Sequence, residues 1–152
     1  MTKEQISEKV VTGRLGWIEE MLAGITALPL ENEMVFKQDP RNVAAAESYL
    51  RRALEALLDL GRHLLAKGFG LVVTEYKGIP KGLEQVGILT SDEARLMREM
   101  AGYRNRMVHF YAEVSMTELY RICAEQMKDV TRLAKRMAQW VEEHPERVDR
   151  SL

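Results

Sequence analysis

Apolar residues first recur at Ile6, Val10, Ile18, Met21, Leu22 and Ile25, a spacing that lines one side of a helix despite Gly13 and Gly16. That helix is predicted to end near Leu28, ahead of Pro29. Positions 30–38 carry no clear period. Asp39 followed by Pro40 then supplies an N-cap and a first-turn proline. A second helix follows with Val43, Ala46, Tyr49, Ala53, Leu57, Leu60 and Leu64 on one stripe, until Gly68 and Gly70 offer a left-handed stop. The stretch 71–89 contains Gly78, Pro80 and Gly82 and reads as a loop with room for one short helix around Leu83 to Val86.

Thr90 with Glu93 three residues later is a capping-box pattern, and it opens a third helix bearing Leu96, Met97, Met100 and Met107. Ser115 with Glu118 repeats the signal. The fourth helix carries Leu119, Cys123, Met127, Val130, Leu133, Met137, Trp140 and Val141 and frays at His144 and Pro145. The pattern therefore predicts an all-α fold, an up-and-down bundle of four main helices with no sheet. Residues 1–145 form one helical domain on this reading, and 146–152 are a polar tail that needs no partner.

Composition narrows what such a bundle does. The 152 residues, 46% hydrophobic, suffice for one buried core and are few for two. Because 22 basic residues meet 23 acidic ones, the formal charge is -1, and the broad cationic surface of a general nucleic-acid coat is absent. A local basic site remains open at Arg104 and Arg106 beside His109. A single cysteine, Cys123, excludes an intrachain disulfide and points to a reducing compartment, with cytoplasm the expectation. No run approaches the roughly 20 apolar residues of a membrane span, and residues 1–9 do not resemble a signal peptide.

Chemistry concentrates in Arg104-Asn105-Arg106-Met107-Val108-His109-Phe110-Tyr111. Arginine presents a permanently charged planar fork to phosphate oxygens, and histidine titrates near neutrality. At about 100° per residue, Arg104 and Tyr111 share a face of an unbroken helix while His109 points about 140° away from Arg104. The capping signal at Ser115 implies that the third helix stops between Val108 and Tyr111, which lets His109 swing toward the arginine. RNA brings its own nucleophile, the 2′-hydroxyl, so cleavage requires proton removal, proton donation to the 5′-oxygen and stabilisation of phosphorane charge. His109 serves the first two and Arg104 the third, with Tyr111 donating to a phosphate oxygen or positioning the strand. One histidine cannot be base and acid at once, so the mechanism predicts a symmetric dimer with two copies at one cleft.

Plainer roles compete for the same residues: His109 as a helix C-terminal cap, Tyr111 as a core tyrosine with a satisfied hydroxyl, Arg104 in an ion pair with a glutamate. The segment nevertheless resembles the signature of HEPN-domain toxins of the HepT type, in which arginine, four residues, histidine, one residue and tyrosine recur. The run from Ala45 to Ala56, Asp59 to Leu64, and Met100 to Asn105 are similar to the same family, over approximately Ile6 to Val141. The resemblance implies a dimeric helical bundle and metal-independent ribonuclease activity, with Arg104 and His109 catalytic and Asn105 at the family's common asparagine. It also implies a partner, an MntA-type nucleotidyltransferase antitoxin that transfers AMP from ATP to Tyr111. Many relatives carry an acidic residue after the histidine, where this chain has Phe110.

Other residues carry weaker signals. His63, with Arg62 beside it and Asp59 one turn earlier, is expected to pair with Asp59 at the surface or to approach the cleft. Cys123 reads as a buried small hydrophobe, and Met97, Met100 and Met107 as core or dimer seam. Neither His-Glu-x-x-His nor a Glu-x-x-His pair nor a phosphate-binding loop occurs, so no metal or cofactor is expected. Two functions lead, an RNA-cleaving toxin or a non-catalytic HEPN-type module that binds RNA, nucleotide or a partner protein; a purely structural dimeric bundle would leave the motif unexplained.

Overall fold

Ser7 accepts a hydrogen bond from the Val10 amide at 3.2 Å, the cap that starts α1 (Glu8–Thr26), which buries Val11, Ile18, Met21 and Ile25. The computed structural model of the protein describes residues 5–109 and 114–151. Seven helices occur among them. After α1 come α2 (Glu33–Gln38), α3 (Pro40–Phe69), α4 (Gly78–Gln85), α5 (Ser91–Val108), α6 (Met116–Glu125) and α7 (Met127–Glu143). The fold is all-α, as the periodicity implies.

The 30-residue α3 is the axis of the molecule. Asp39 caps it through the Arg41 amide at 2.9 Å, and Gly70 closes it at φ 67°, a left-handed turn suited to glycine. The predicted single stripe understates its burial, because Leu50, Leu54, Leu57, Leu58, Leu60, Leu64 and Leu65 are all fully enclosed. Every other helix packs on it. Truncating one such leucine, as in Leu57→Ala, is expected to cost about 2–5 kcal/mol.

Three departures from the sequence reading have local causes. First, the unpatterned stretch before Asp39 contains α2, capped by Asn32 and anchored by fully buried Phe36, whose ring lies 5.4 Å from that of Tyr120. Six residues are too few to establish a period. Second, the short helix of the 71–89 stretch begins earlier than expected, at Gly78, because Ile79 and Leu83 together plug the core. Third, the fourth helix is two. At Gln126 the backbone turns to φ -109°, ψ 1°, so that α6 packs on α2 while α7 packs on α1 and α5. Lys37 donates to Thr117 at 2.6 Å, and the Tyr120 hydroxyl donates to the Leu30 carbonyl, which holds α6 at its own angle.

The expectations of no sheet and an unpartnered tail are also corrected. Strand β1 (Ile6–Ser7) pairs in parallel with β2 (Val148–Asp149), Ile6 opposite Val148. Buried Ile6 and half-buried Val148 outweigh the polarity of the residues between, and Arg147 both donates to the Gly68 carbonyl and lies 4.4 Å over the Phe69 ring. Among the described residues, no helix is long and apolar enough to cross a membrane.

Candidate functional site

The capping box that opens α5 is complete: Thr90 Oγ1 accepts from the Glu93 amide at 3.2 Å, and Glu93 accepts from the Thr90 amide at 2.9 Å. This fixes the rotation of the helix, and with it the direction of Arg104 four turns later. The helix ends at Val108, and His109 is extended at φ -103°, ψ 105°. Leaving the helix cancels the angular offset between residues 104 and 109. Arg104, Asn105 and His109 thereby line one cleft of ≈ 560 Å³, together with Arg62, Thr74, Glu75, Tyr76 and Lys77.

Arg104 is held on three sides. Its Nε and Nη2 donate to Glu55 Oε2 at 3.1 and 2.9 Å, and Nη1 donates to Asn105 Oδ1 at 3.3 Å. Its guanidinium also lies 4.7 Å from the centroid of the Tyr76 ring. These bonds use three of the five N–H donors of a guanidinium, and two have no hydrogen-bond partner among the described residues. The ion pair that the sequence left open for Arg104 therefore exists, with a partner on another helix. Glu55 is itself fixed by Arg51 at 2.9 Å.

Tyr76 supplies the aromatic face on which Arg104 rests. Its hydroxyl donates to Asp59 Oδ1 at 2.8 Å, and burial, followed by that carboxylate, pushes its pKa up to about 12. The phenol stays protonated at neutral pH. Arg62 lies 4.8 Å from the same ring, 3.5 Å from Asp59, and donates to the Thr74 carbonyl at 3.1 Å. The helix α3 thus presents Arg51, Glu55, Asp59 and Arg62 in one charged stripe, and α5 and the 74–77 segment dock against it.

Several expected residues lie elsewhere. Residues 104 and 106 are about 200° apart on a helix, so Arg106 turns away from the cleft. It meets Glu118 in a bidentate pair at 2.8 and 2.6 Å, which joins the end of α5 to the first turn of α6. The local basic site consequently excludes Arg106. His63 neither pairs with Asp59 nor reaches the cleft; its Nε2 accepts the Ser7 amide at 3.0 Å, at the start of α1. Burial, then the nearby charges of Lys67 and Arg14, hold its pKa below the ordinary histidine value. Cys123 is buried and its pKa is pushed up to about 12, the environment of a packed side chain. Met97 and Met100 are fully buried, with Met107 packed on the same core. Tyr111 and Phe110 lie outside the described residues. Among the described residues, no group of three or more His, Cys, Asp or Glu side chains is placed to hold a metal ion.

Glu55, Tyr76 and Lys77 were not singled out from sequence, and Arg62 was noted only beside His63 and Asp59; it both pairs with Asp59 and lines the cleft. A signal existed on α3: charged residues at 51, 55, 59 and 62 repeat at helical spacing within 50–65, where most of the remaining residues are buried. Nothing comparable marks Tyr76 or Lys77, which reach the cleft only through the path of their loop.

No curated protein matches the chain. Among solved structures, it is similar to a tri-AMPylated Shewanella oneidensis HEPN toxin in complex with MNT antitoxin, at 18% identity and TM-score 0.79 over 87% of this chain and 98% of that one. A mutant MntA–HpeT toxin–antitoxin gives 17% identity and TM-score 0.75 over 86% and 98%. YutE, a cytosolic protein of unknown function from Bacillus subtilis, gives 19% and 0.77 over 92% and 94%. At such identities the likeness is one of fold, which is that of the HEPN toxins. The family described as Ribonuclease HepT-like matches residues 18–137, most of the chain and all of α3 to α6. The chain belongs to the HepT-like ribonuclease family.

Proposed function

We propose that this protein is the toxin of a toxin–antitoxin pair, an endoribonuclease that cleaves RNA without a metal ion and acts as a homodimer. The observation that carries the reading is the convergence of Arg104, Asn105 and His109 on one cleft where α5 ends. The 2′-hydroxyl loses its proton to one His109 and attacks the adjacent phosphorus. The 5′-oxygen leaves with a proton from the His109 of the second copy, and a 2′,3′-cyclic phosphate remains. Arg104, steadied by Glu55 and Tyr76, directs its remaining donors at the phosphorane oxygens, where charge develops.

Silencing follows the same electrostatics. An MntA-type nucleotidyltransferase would place AMP on Tyr111, whose oxygen attacks the α-phosphorus of ATP and displaces pyrophosphate. The added phosphate then competes for Arg104. The AMPylated, antitoxin-bound state named for the Shewanella oneidensis toxin supports this part of the reading.

The test is cleavage of total RNA by purified, unmodified protein in excess chelator, beside Arg104→Ala and His109→Ala. Chelator-resistant cleavage by the wild type alone, with cyclic phosphate ends, is expected. Cleavage retained in His109→Ala would refute the catalytic assignment. A folded, unmodified dimer that binds RNA without cutting it would favour a binding module instead, a reading to which the charge pairing of Arg104 with Glu55 lends weight.

A further inference from the structure

The cleft is larger than one phosphate requires. Its ≈ 560 Å³ falls in the range of sites that hold whole small ligands. Arg62, Lys77, Arg104 and Glu75 line it, with Glu55 2.9 Å behind Arg104 and Asp59 3.5 Å from Arg62, which leaves Lys77 as its lining cation with no ion pair among the described residues.

Two of these cations have no role in the mechanism above. The guanidinium groups of Arg62 and Arg104 rest on the same tyrosine ring, at 4.8 and 4.7 Å from its centroid, so less than about 10 Å separates them. That interval is comparable with the step between neighbouring phosphates of one strand. The Arg62 Nε–H is buried without a hydrogen-bond partner among the described residues, a donor that a small rotation toward an anion would satisfy. Lys77 stands exposed at the N-terminus of α4 and enters no ion pair among the described residues. It adds a mobile point charge where Arg62 offers a fixed fork.

We propose that Arg62 and Lys77 form a second phosphate subsite, which takes the phosphate adjacent to the scissile one on a single RNA strand. This rests on the reading of the cleft as an RNA site and deepens it. Tyr76 is the rigid wall between the two positions, locked by its bond to Asp59. Arg104 receives the reacting phosphate; Arg62 and Lys77 set the register of the strand beside it. A second basic surface, Lys128, Arg132, Lys135 and Arg136 on α7, has buried Glu93 3.8 Å from Arg132 and 4.0 Å from Arg136, and none of these four residues holds a buried side-chain donor without a partner among the described residues.

The experiment is fluorescence anisotropy with a 2′-O-methyl RNA octamer, which cannot be cleaved, over about 50–200 mM salt. Each phosphate contact to a single strand contributes about -0.7 to the slope of log K against log salt. Lys77→Ala is expected to weaken binding several-fold and to make the slope shallower by up to about 0.7, the value for the one phosphate the two residues share, and Arg62→Gln to draw on the same 0.7. Lys135→Ala should leave both unchanged. Because Arg62 also ties the 74–77 segment to α3, the exposed Lys77 carries the decision. An unaltered slope in Lys77→Ala would overturn the proposal, as would a loss confined to Lys135→Ala, which would put the strand on α7. Failure of the two readings is separable: normal cleavage with an unaltered Lys77→Ala slope removes the subsite alone, and Lys77-dependent binding without cleavage removes the ribonuclease alone. A wild type that binds no RNA, but does bind an acidic protein through Lys77, would overturn both.

Discussion

Glu55 is the residue whose removal most directly tests how Arg104 is used. Its Oε2 lies 2.9 Å from Arg104 Nη2, and the two side chains are 25% and 24% exposed. At an effective dielectric of about 20, opposite charges at that distance attract by about 6 kcal/mol. Desolvation and side-chain ordering cancel most of this, and a hydrogen bond to a charged partner retains about 1.5–3 kcal/mol. An orientational preference of about 2 kcal/mol corresponds to a roughly 30-fold population of the held rotamer. Glu55→Ala should accordingly lower kcat for RNA cleavage by about 30-fold, against the 10²–10³-fold typical of losing a charge-stabilising donor outright, as in Arg104→Ala. Ground-state binding should move the other way, because the cleft gains a net positive charge: KM falls or holds, most visibly at low salt. The double variant should be no slower than Arg104→Ala alone, since Glu55 acts through that arginine. Single-turnover cleavage of a defined RNA by the four proteins decides it. A Glu55→Ala enzyme with wild-type kcat, or a double variant whose losses multiply, would refute the positioning role.

Two further predictions concern the scaffold. His63 accepts the Ser7 amide and its pKa is lowered by burial, so the folded state favours the neutral ring. Stability should be constant above the unfolded value of about 6.5 and fall as pH drops below it, toward the folded pKa; His63→Gln should flatten that limb in denaturant titrations, and an identical pH dependence in both proteins would disprove it. The glycines separate propensity from packing: a Cβ at Gly61 meets Ile79 Cγ2 at 2.8 Å and Leu83 Cδ1 at 2.9 Å, whereas Gly13 has nothing within 4 Å. Gly61→Ala should lose about 1–3 kcal/mol and Gly13→Ala gain up to about 1 kcal/mol in chemical denaturation, and stabilisation by both would show that α3 and α4 are not closely packed.

What the amino-acid sequence determined by itself is what local chemistry can enforce. Asp39-Pro40, Thr90 with Glu93, and Ser115 with Glu118 start helices because each side chain reaches backbone amides no more than three residues away. Gly70 stops one for an equally local reason, its positive φ. The end of α5 near Val108 was legible in the same way, from the cap that follows, and it brings His109 to the face of Arg104. The bend at Gln126 was not legible, since the apolar spacing runs through it unbroken and only the competing demands of α2 and of α1 with α5 divide the helix. Nor was the pairing of Ile6 with Val148, which spans nearly the whole chain. The same holds for the wall of the cleft. Glu55 meets Arg104 across 49 residues and Tyr76 meets Asp59 across 17. Such pairs depend on which face of α3 turns toward which neighbour, a question settled by burying α3's leucines on every side and leaving one charged stripe to be satisfied. A motif joins residues close in sequence; the side chains that hold them in place are found only after the core has chosen how the helices rotate.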